Sequence, residues 1–457
     1  MNFIRKYYDY TKETEPPTNY HVWTMISTLS ALLGRKCYIP QGVFTIYPNL
    51  YIVLVGSPGM KKSSAMNIGK NLLRTIKEFP LAPASMTREA MLASLQQNCC
   101  KFSANNIEMS FHQVSAFVTE LQEFIGGKHR NQSMIDILTA IWDEPSYEYH
   151  TINRDPIRID QPYVTLLACC TTDWLNEKLK ASIISEGLAR RMIFVYEEQR
   201  SKYVPFPSLS AEQAMAWTDL EEEAKKLRAI TGRFSFTEDA IQYWEQLYIQ
   251  IQQEAETKDI FLQHYWTTKH VLMIKVAMCL SSVLRTDKMI DAALLKIVHS
   301  MFNDFERNLP VLFKAMGRNE LKSHEDKIEE FIAKAGSKGR SLSDLANEFA
   351  RDLTVVEVQA LIESLTIRKR IQANITNSSW VSTSVLQKNT ASNLFDLLLS
   401  YKPSTPELLR NKAQPIELDR LCSKEVQALI KSNSDRAENL KQGKLLVRKN
   451  KIKSSLV

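Results

Sequence analysis

The chain has 457 residues, which predicts two to four domains at about 100–200 residues per domain. Its 44% apolar content excludes wholesale disorder, and its 13 glycines and 16 prolines exclude collagen-like and low-complexity chains. The net charge of +7 lies in residues 386–457, which hold 14 basic and 7 acidic residues, whereas the preceding 385 residues are neutral. Only this C-terminal tail is therefore expected to attract a polyanion through its net charge.

Cysteine usage and hydropathy predict a soluble intracellular protein. The seven cysteines include no CxxC pair, which favours a reducing compartment and argues against structural zinc. The N-terminus lacks the apolar run of a signal peptide. The longest apolar stretch, residues 271–284, contains Lys275 and is shorter than the roughly 20 residues that span a membrane. We expect a cytoplasmic location, the host cytoplasm for a phage-encoded chain, and no membrane partner.

The first 205 residues combine a helical segment with alternating strands and helices. Helix-periodic apolar residues at 20–33, followed by Gly34, predict a helix within an N-terminal segment of residues 1–48. Apolar strands are predicted at 49–56, 115–120, 163–172 and 191–198, and a helix at 63–79. Short apolar strands that alternate with helices predict an α/β domain with a parallel sheet over residues 49–205.

Two further folded regions are predicted before the tail. A Pro- and Ser-rich boundary at 204–210 precedes an all-helical domain over 206–320, with helices at 217–227, 239–255, 270–284 and 290–313. Residues 321–385 show a helix at 326–335, a second capped near Ser341 or Ser343, and a third that opens with a capping box from Thr354 to Glu357. Two short strands follow at 370–382. Three helices and a hairpin in about 60 residues are typical of a winged-helix domain.

The sharpest motif is GSPGMKKS at residues 56–63, between a predicted strand and a predicted helix, which is the context of a P-loop. The glycines let backbone N–H groups face a phosphate, and the helix N-terminus adds partial positive charge. Lys62 would reach the β- and γ-phosphates of ATP, and Ser63 would bind Mg²⁺. Lys61 stands where GxxxxGK[ST] has a second glycine, and the alternative interpretation is a Gly-rich turn. The residues predicted to bind the nucleotide are Gly56, Ser57, Pro58, Gly59, Met60, Lys61, Lys62, Ser63 and Ser64.

Polar residues at the ends of two other strands are candidates for the same site. Glu120 would polarise the attacking water and hold Mg²⁺ through water, although Thr119 stands where an Asp is expected. Glu123 would assist the metal. The alternative is that Glu120 is only a helix-start carboxylate. Thr171, or else Thr172, would sense the γ-phosphate, unless it only caps the next helix.

Arginines near the last predicted strand, and basic residues beyond it, are candidates for contacts with partners. Arg191, or else Arg190, would act on the ATP of a neighbouring subunit as an arginine finger; the alternative is a surface salt bridge. The winged helix and the tail would bind nucleic acid, unless the first binds only protein and the second is merely solvated. The residues predicted to contact nucleic acid are Arg368, Lys369, Arg370, Lys444, Arg448 and Lys449.

These pieces, in this order, resemble the P-loop ATPase domain of phage and mobile-element replication helicases in the AAA+ class, of the primase-helicase type. The resemblance rests on residues 56–63, Glu120, Thr171 and residues 187–195, and covers about residues 15–200. It implies an α/β P-loop NTPase core with a parallel sheet, followed here by the all-α region and the winged helix. It also implies a homo-oligomer, commonly a hexameric ring, with ATP sites between subunits.

The leading hypothesis is an ATP- and Mg²⁺-dependent replicative helicase-like motor that acts on single-stranded or forked DNA, with a primase or other replication proteins as further partners. The alternative is a helicase loader, an initiator or a DNA-bound regulator that uses ATP as an assembly switch. A third interpretation is an ATPase that does not bind DNA and whose winged helix holds a protein.

Overall fold

The computed structural model describes most of the first 403 residues. The described residues are 3–83, 85–104, 107–125, 131–151, 154–172, 174–175, 187–256, 260–309, 312, 320–335, 339–350, 353–367, 371–374, 379–382 and 394–403. The chain divides into two compact units, Met1–Tyr38 with Tyr47–Pro403, and Ile39–Ile46 with Ser404–Val457. In the second unit, only the residues 39–46 are described; they form a β-hairpin in which residues 39–41 pair with residues 44–46.

The protein is a mixed α/β structure. Its described helices are α1 (Phe3–Thr11), α2 (Thr18–Leu33), α3 (Lys62–Arg74), α4 (Arg88–Gln97), α5 (Leu121–Ile125), α6 (Asn131–Ala140), α7 (Ala211–Ala229), α8 (Glu238–Glu256), α9 (Ile260–Leu284), α10 (Ala292–Glu306), α11 (Glu320–Lys334), α12 (Leu342–Glu348), α13 (Val355–Ile367) and α14 (Leu394–Leu399). Its described strands are β1 (Cys37–Gln41), β2 (Phe44–Ile46), β3 (Tyr51–Val55), β4 (Cys99–Ala104), β5 (Ile107–Val118), β6 (Ser146–Thr151), β7 (Arg154–Asp160), β8 (Pro162–Cys170), β9 (Met192–Tyr196), β10 (Gly232–Arg233), β11 (Ser235–Phe236), β12 (Met289–Ile290), β13 (Ile371–Asn374) and β14 (Ser379–Ser382).

The central sheet has five strands in the order β4-β5-β8-β3-β9. The strands β5, β8, β3 and β9 are parallel, which confirms the four predicted parallel strands, and β4 adds an antiparallel edge. All residues of β3 and β8 are buried, as their continuous apolar runs require. The antiparallel pair β6–β7 and the edge strand β4 were not predicted.

Helix α2 is the main support of the sheet and of α3. Every residue from Tyr20 to Leu33 is buried, and the helix ends where Gly34 adopts a φ of 66°, as predicted. Close contact with α3 depends on Gly69, because a Cβ there would lie 2.8 Å from Thr24 Cγ2 and still nearer to Thr28 Oγ1. The predicted helix at 63–79 ends earlier, at Arg74.

Three helices of the region 206–320 begin earlier than predicted, at Ala211, Glu238 and Ile260, whereas the fourth begins later, at Ala292. Two-residue strands lie between these helices. The strands β11 and β12 pair in parallel, and β10 pairs with the start of β1. Part of α9, Gln263–Leu284, is long and apolar enough to cross a membrane by length and composition, with 72% of its apolar window buried inside the protein. This apolar stretch is therefore longer than the predicted one, which covered only residues 271–284. Such burial is consistent with the core helix of a soluble protein.

Helices α11 to α13 and the antiparallel pair β13–β14 follow in the predicted order. Both predicted caps form: Ser341 Oγ accepts from the Asp344 N–H at 3.2 Å, and Thr354 Oγ1 accepts from the Glu357 N–H at 3.3 Å. The core of this region includes Val358, which is fully buried. Its helices and strands thus pack around an apolar core of their own.

Helix α14 lies inside the segment that was predicted to be a basic tail. It packs on α1, where the ring of Phe395 lies 5.3 Å from that of Tyr8 and 6.5 Å from that of Tyr7. The hydroxyl of Tyr401, just beyond the helix, donates to Asp291 Oδ2 at 2.8 Å. Residues 394–403 therefore belong to the first compact unit, and the charge excess lies beyond them.

Candidate nucleotide-binding site

The Gly-rich loop, residues 56–61, connects the buried strand β3 to α3. The Gly56 N–H donates to Cys170 O at 3.3 Å, so β3 and β8 stay paired up to the start of the loop. A Cβ on Gly56 would lie 2.5 Å from the Tyr20 hydroxyl, which is why only glycine fits there. That hydroxyl donates to Val55 O at 2.5 Å and fixes the end of the strand. Beyond Gly56, residues 57–59 are exposed.

Lys61 adopts a backbone conformation that favours glycine, the residue that the motif has at this position. Its φ is 59° and its ψ is 26°, in the left-handed region, immediately before the first residue of α3. Its side chain reaches Glu15, with Nζ 3.0 Å from Oε2. Lys61 thus holds a left-handed backbone position and adds an ion pair to the segment between α1 and α2.

Lys62 folds back over the loop. Its Nζ donates to Gly56 O at 2.6 Å and to Ser57 O at 3.0 Å. Burial lowers the pKa of Lys62, and the nearby Cys169, Cys170 and Glu120 oppose that shift. The backbone N–H groups of Lys61, Lys62 and Ser63 donate to no other described residue, as expected of a first helical turn. The loop therefore offers an ammonium group and several N–H donors to an anion.

The carboxyl ends of the parallel strands place Glu120 at the same edge of the sheet. In the register of the ladder, Val118 pairs with Ala168 and Val55 pairs with Cys170, so Glu120 follows β5 near the level of the loop. Glu120 is exposed and close enough to influence the pKa of Lys62. Its carbonyl also accepts from the Phe124 N–H at 3.4 Å, so it starts α5, as the alternative predicted. The neighbouring Thr119 and Glu123 are exposed as well.

Thr171 follows β8 at this edge and caps a helical turn. Its Oγ1 accepts from the Trp174 N–H at 3.3 Å, and its carbonyl accepts from the Leu175 N–H at 3.1 Å. The capping role that was the alternative for Thr171 is therefore present. Its hydroxyl, like that of Thr172, stays a candidate sensor by position only.

Arg190 and Arg191 lie at the opposite edge of the sheet. They form a 3-10 turn that leads into the start of β9, where Met192 pairs with Tyr51, the first residue of β3. The strand from Tyr51 to Val55 is about 13 Å long, so the backbone of both arginines lies farther than this from the loop. Arg191 Nη1 donates to Gly187 O at 2.9 Å, and burial lowers its pKa. Arg190 Nε is buried and has no hydrogen-bond partner among the described residues. The structure does not bring either arginine to the loop of its own chain.

Three charged residues beside the loop, Glu15, Glu197 and Arg200, were not predicted. Arg200, four residues beyond β9, places Nη2 3.4 Å from the position of a Cβ on Gly59. Its Nη1 lies 3.6 Å from Glu15 Oε1. Glu197 directly follows β9, and burial raises its pKa to about 7. The side chain of Glu197 accepts from Asn19 Nδ2 at 2.5 Å. The only sequence signal for Glu197 and Arg200 was their place at the C-terminal end of the predicted strand 191–198, within it for Glu197 and two residues beyond it for Arg200.

The remaining candidates lie outside the described residues. They are the proposed nucleic-acid contacts Arg368, Lys369, Arg370, Lys444, Arg448 and Lys449. Among the described residues, no group of three or more His, Cys, Asp or Glu side chains could hold a metal ion. Ser63 is the loop residue that could hold Mg²⁺, an ion that commonly takes several of its ligands from phosphate and water.

Comparison with known proteins leaves the family of the chain open. No protein-family model matches it, and no curated protein matches it. The arguments for function therefore rest on the geometry of the site.

Proposed function

We propose that the chain is an ATP-hydrolysing P-loop ATPase of the AAA+ class, a replicative helicase-like motor that acts on DNA as a homo-oligomeric ring. The single observation that carries the proposal is the Gly-rich loop between β3 and α3, over which Lys62 Nζ lies 2.6 Å from Gly56 O. An ammonium group held by two loop carbonyls can turn to a phosphate by exchanging these two hydrogen bonds. The four parallel strands that end at this edge give the loop the setting in which nucleotides are bound in open α/β sheets.

The roles of the residues follow from their places at this edge. The loop N–H groups and Lys62 would bind the phosphates, and Ser63 would hold Mg²⁺, which supplies charge neutralisation when bound. Glu120, exposed beside Lys62, would accept a proton from the attacking water or orient it, and would contact the metal through water. Thr171 would hydrogen-bond the γ-phosphate in addition to capping its helical turn.

Lys62→Ala tests the loop assignment. The variant should lose ATP turnover and bind ATP weakly while its thermal stability stays close to that of the wild type. Lys70→Ala is the matched control, since Lys70 lies on the same helix but donates to Phe117 O at 2.8 Å. Wild-type turnover in Lys62→Ala, or an equal loss in Lys70→Ala, would contradict the assignment.

The position of Arg190 and Arg191 at the far edge of the sheet supports a role on a neighbouring subunit. A mixing experiment tests it: Arg191→Ala subunits keep an intact loop, and Lys62→Ala subunits keep an intact finger. Each variant alone should be inactive. If the finger acts across a subunit interface, mixed rings should recover part of the turnover. No recovery, together with normal nucleotide binding by Arg191→Ala, would count against this role; the same pair of assays with Arg190→Ala decides between the two arginines.

DNA binding is proposed for the region of α11 to β14, as a winged helix, and for the basic tail. Its support is the order of three helices and a strand pair around a separate apolar core, with Arg368, Lys369 and Arg370 following α13 in sequence. Binding to forked DNA should weaken steeply as salt rises, because phosphate contacts release counterions. Binding that is absent or insensitive to salt would favour a protein partner for this region.

The second candidate is a helicase loader or initiator that uses ATP as an assembly switch. It is favoured by Thr119 at the position of the expected Asp, since a metal bound through a single carboxylate would suit slow turnover. Strand displacement on forked DNA separates the two candidates. Unwinding by the purified chain with ATP supports the motor, whereas ATP and DNA binding without unwinding supports the loader.

A further inference from the structure

We propose that Arg200 is an additional phosphate-binding residue of the nucleotide site, and that Glu15 occupies it, together with Lys61, until ATP arrives. The inference rests on the proposed nucleotide site and concerns residues outside its motif. Glu15 would be an internal anion that the triphosphate displaces, so that nucleotide binding releases the segment between α1 and α2 from the loop.

Arg200 lies against the exposed part of the Gly-rich loop. Its Nη2 is 3.4 Å from the position of a Cβ on Gly59, whose φ of 86° already requires glycine. Arg200 follows β9, which pairs with β3, so the same sheet edge that presents the loop presents this guanidinium. Its side chain keeps 28% of its surface exposed, which leaves it open to a ligand that sits on the loop.

Glu15 is the carboxylate shared by the two cations. Its Oε2 lies 3.0 Å from Lys61 Nζ, and its Oε1 lies 3.6 Å from Arg200 Nη1. Its Oε1 also accepts from the Val204 N–H at 3.2 Å. The hydrogen bond from Lys61, then that from the Val204 N–H, lowers the pKa of Glu15, so the carboxylate stays charged near neutral pH.

The charges favour replacement of Glu15 by phosphate. Lys61, Lys62 and Arg200 surround the loop, and Glu15 is the carboxylate that pairs with two of them. A triphosphate carries more negative charge than one carboxylate, and a guanidinium binds phosphate oxygens through two parallel N–H donors. Each pair with Glu15 is partly exposed and therefore weak, so a bound phosphate can compete with it.

The experiment measures binding of ATP, ADP and AMP to the full chain by titration calorimetry, with circular dichroism as the test of folding. Arg200→Ala should weaken ATP binding by about tenfold to a hundredfold, the size of a lost charge-assisted hydrogen bond. The loss should shrink from ATP to ADP to AMP. Arg200→Lys keeps the charge but lacks the two parallel N–H donors of the guanidinium, so its affinity for ATP should lie between those of the wild type and Arg200→Ala.

Glu15→Gln keeps an acceptor for the Val204 N–H and removes the charge. It should tighten ATP binding by about threefold to tenfold, as expected when one or two exposed ion pairs no longer compete. In the Arg200→Ala background the same change should have a smaller effect. Glu13→Gln is the matched control, because Glu13 lies two residues before Glu15 and pairs with Lys202, two residues beyond Arg200, at 2.9 Å. This variant should leave ATP binding unchanged.

The outcomes separate this inference from the proposed function. If Lys62→Ala weakens binding and a folded Arg200→Ala does not, Arg200 is not a phosphate ligand, although the nucleotide site stands. If neither variant changes binding, the nucleotide site itself is refuted. Weaker binding in Glu15→Gln would show that Glu15 positions the cations for ATP and would overturn the displacement.

Discussion

Replacement of Lys61 by glycine should leave the protein more stable than replacement by alanine. Both variants lose the ion pair with Glu15, so the difference between them isolates the backbone. At a φ of 59°, a residue with a Cβ is strained by about 1–2 kcal/mol. The additional chain entropy of glycine in the unfolded state offsets about 0.5–1 kcal/mol of this. The free energy of unfolding of Lys61→Gly should therefore be about 0.5–1 kcal/mol higher than that of Lys61→Ala.

The assay is hydrogen exchange of the amides of β3 and α3, because a chain with several folded regions does not unfold in one step. Lys70, in the right-handed part of α3, is the control site: there alanine should be more stable than glycine by about 1 kcal/mol. Opposite signs at the two positions would support the left-handed loop. The reasoning is refuted if alanine is the more stable residue at position 61 as well.

Burial raises the pKa of Glu197 to about 7, so the folded chain keeps a proton that the unfolded chain releases above its ordinary pKa of 4.5. The free energy of unfolding should fall by about 3 kcal/mol in all as the pH rises from 4.5 towards 7. Urea titrations at several pH values measure this slope, and Glu197→Gln should flatten it. Gly69→Ala should lower the free energy of unfolding by about 1–3 kcal/mol through its clash with Thr28, where an open helix would gain stability from alanine. Truncation after Pro403 removes 12 basic and 6 acidic residues and should weaken DNA binding and flatten its salt dependence without lowering the melting temperature, whereas truncation before α14 should lower it.

Sequence patterns were sufficient wherever one local signal decided the structure. The continuous apolar runs of β3 and β8 specify buried parallel strands, because strands covered on both faces need no polar alternation. Capping residues placed the starts of α12 and α13 for an equally local reason, since the cap bonds only its own first turn.

Features that depend on distant partners carried no such signal. The pair β6–β7 is rich in charged residues and lies outside the main sheet, so no apolar run marks it. The contacts of Glu15 with Lys61 and Arg200 join segments far apart in the chain, and exposed ion pairs impose no periodicity. For the same reason α14 was taken as part of a tail, although its burial depends on α1.

The packing of α1 has a consequence for synthesis on the ribosome. The first turns of α1 bury Phe3 and Tyr7, yet the helices that cover them, α7 and α14, are translated much later. At roughly 5–20 residues per second, the residues of α14 emerge about 20–80 s after those of α1. The apolar face of α1 lacks its native cover until α7 emerges, and that cover is complete only when α14 follows. The nascent chain should therefore present an early binding site for chaperones, and the N-terminal helix should be among the last elements to dock.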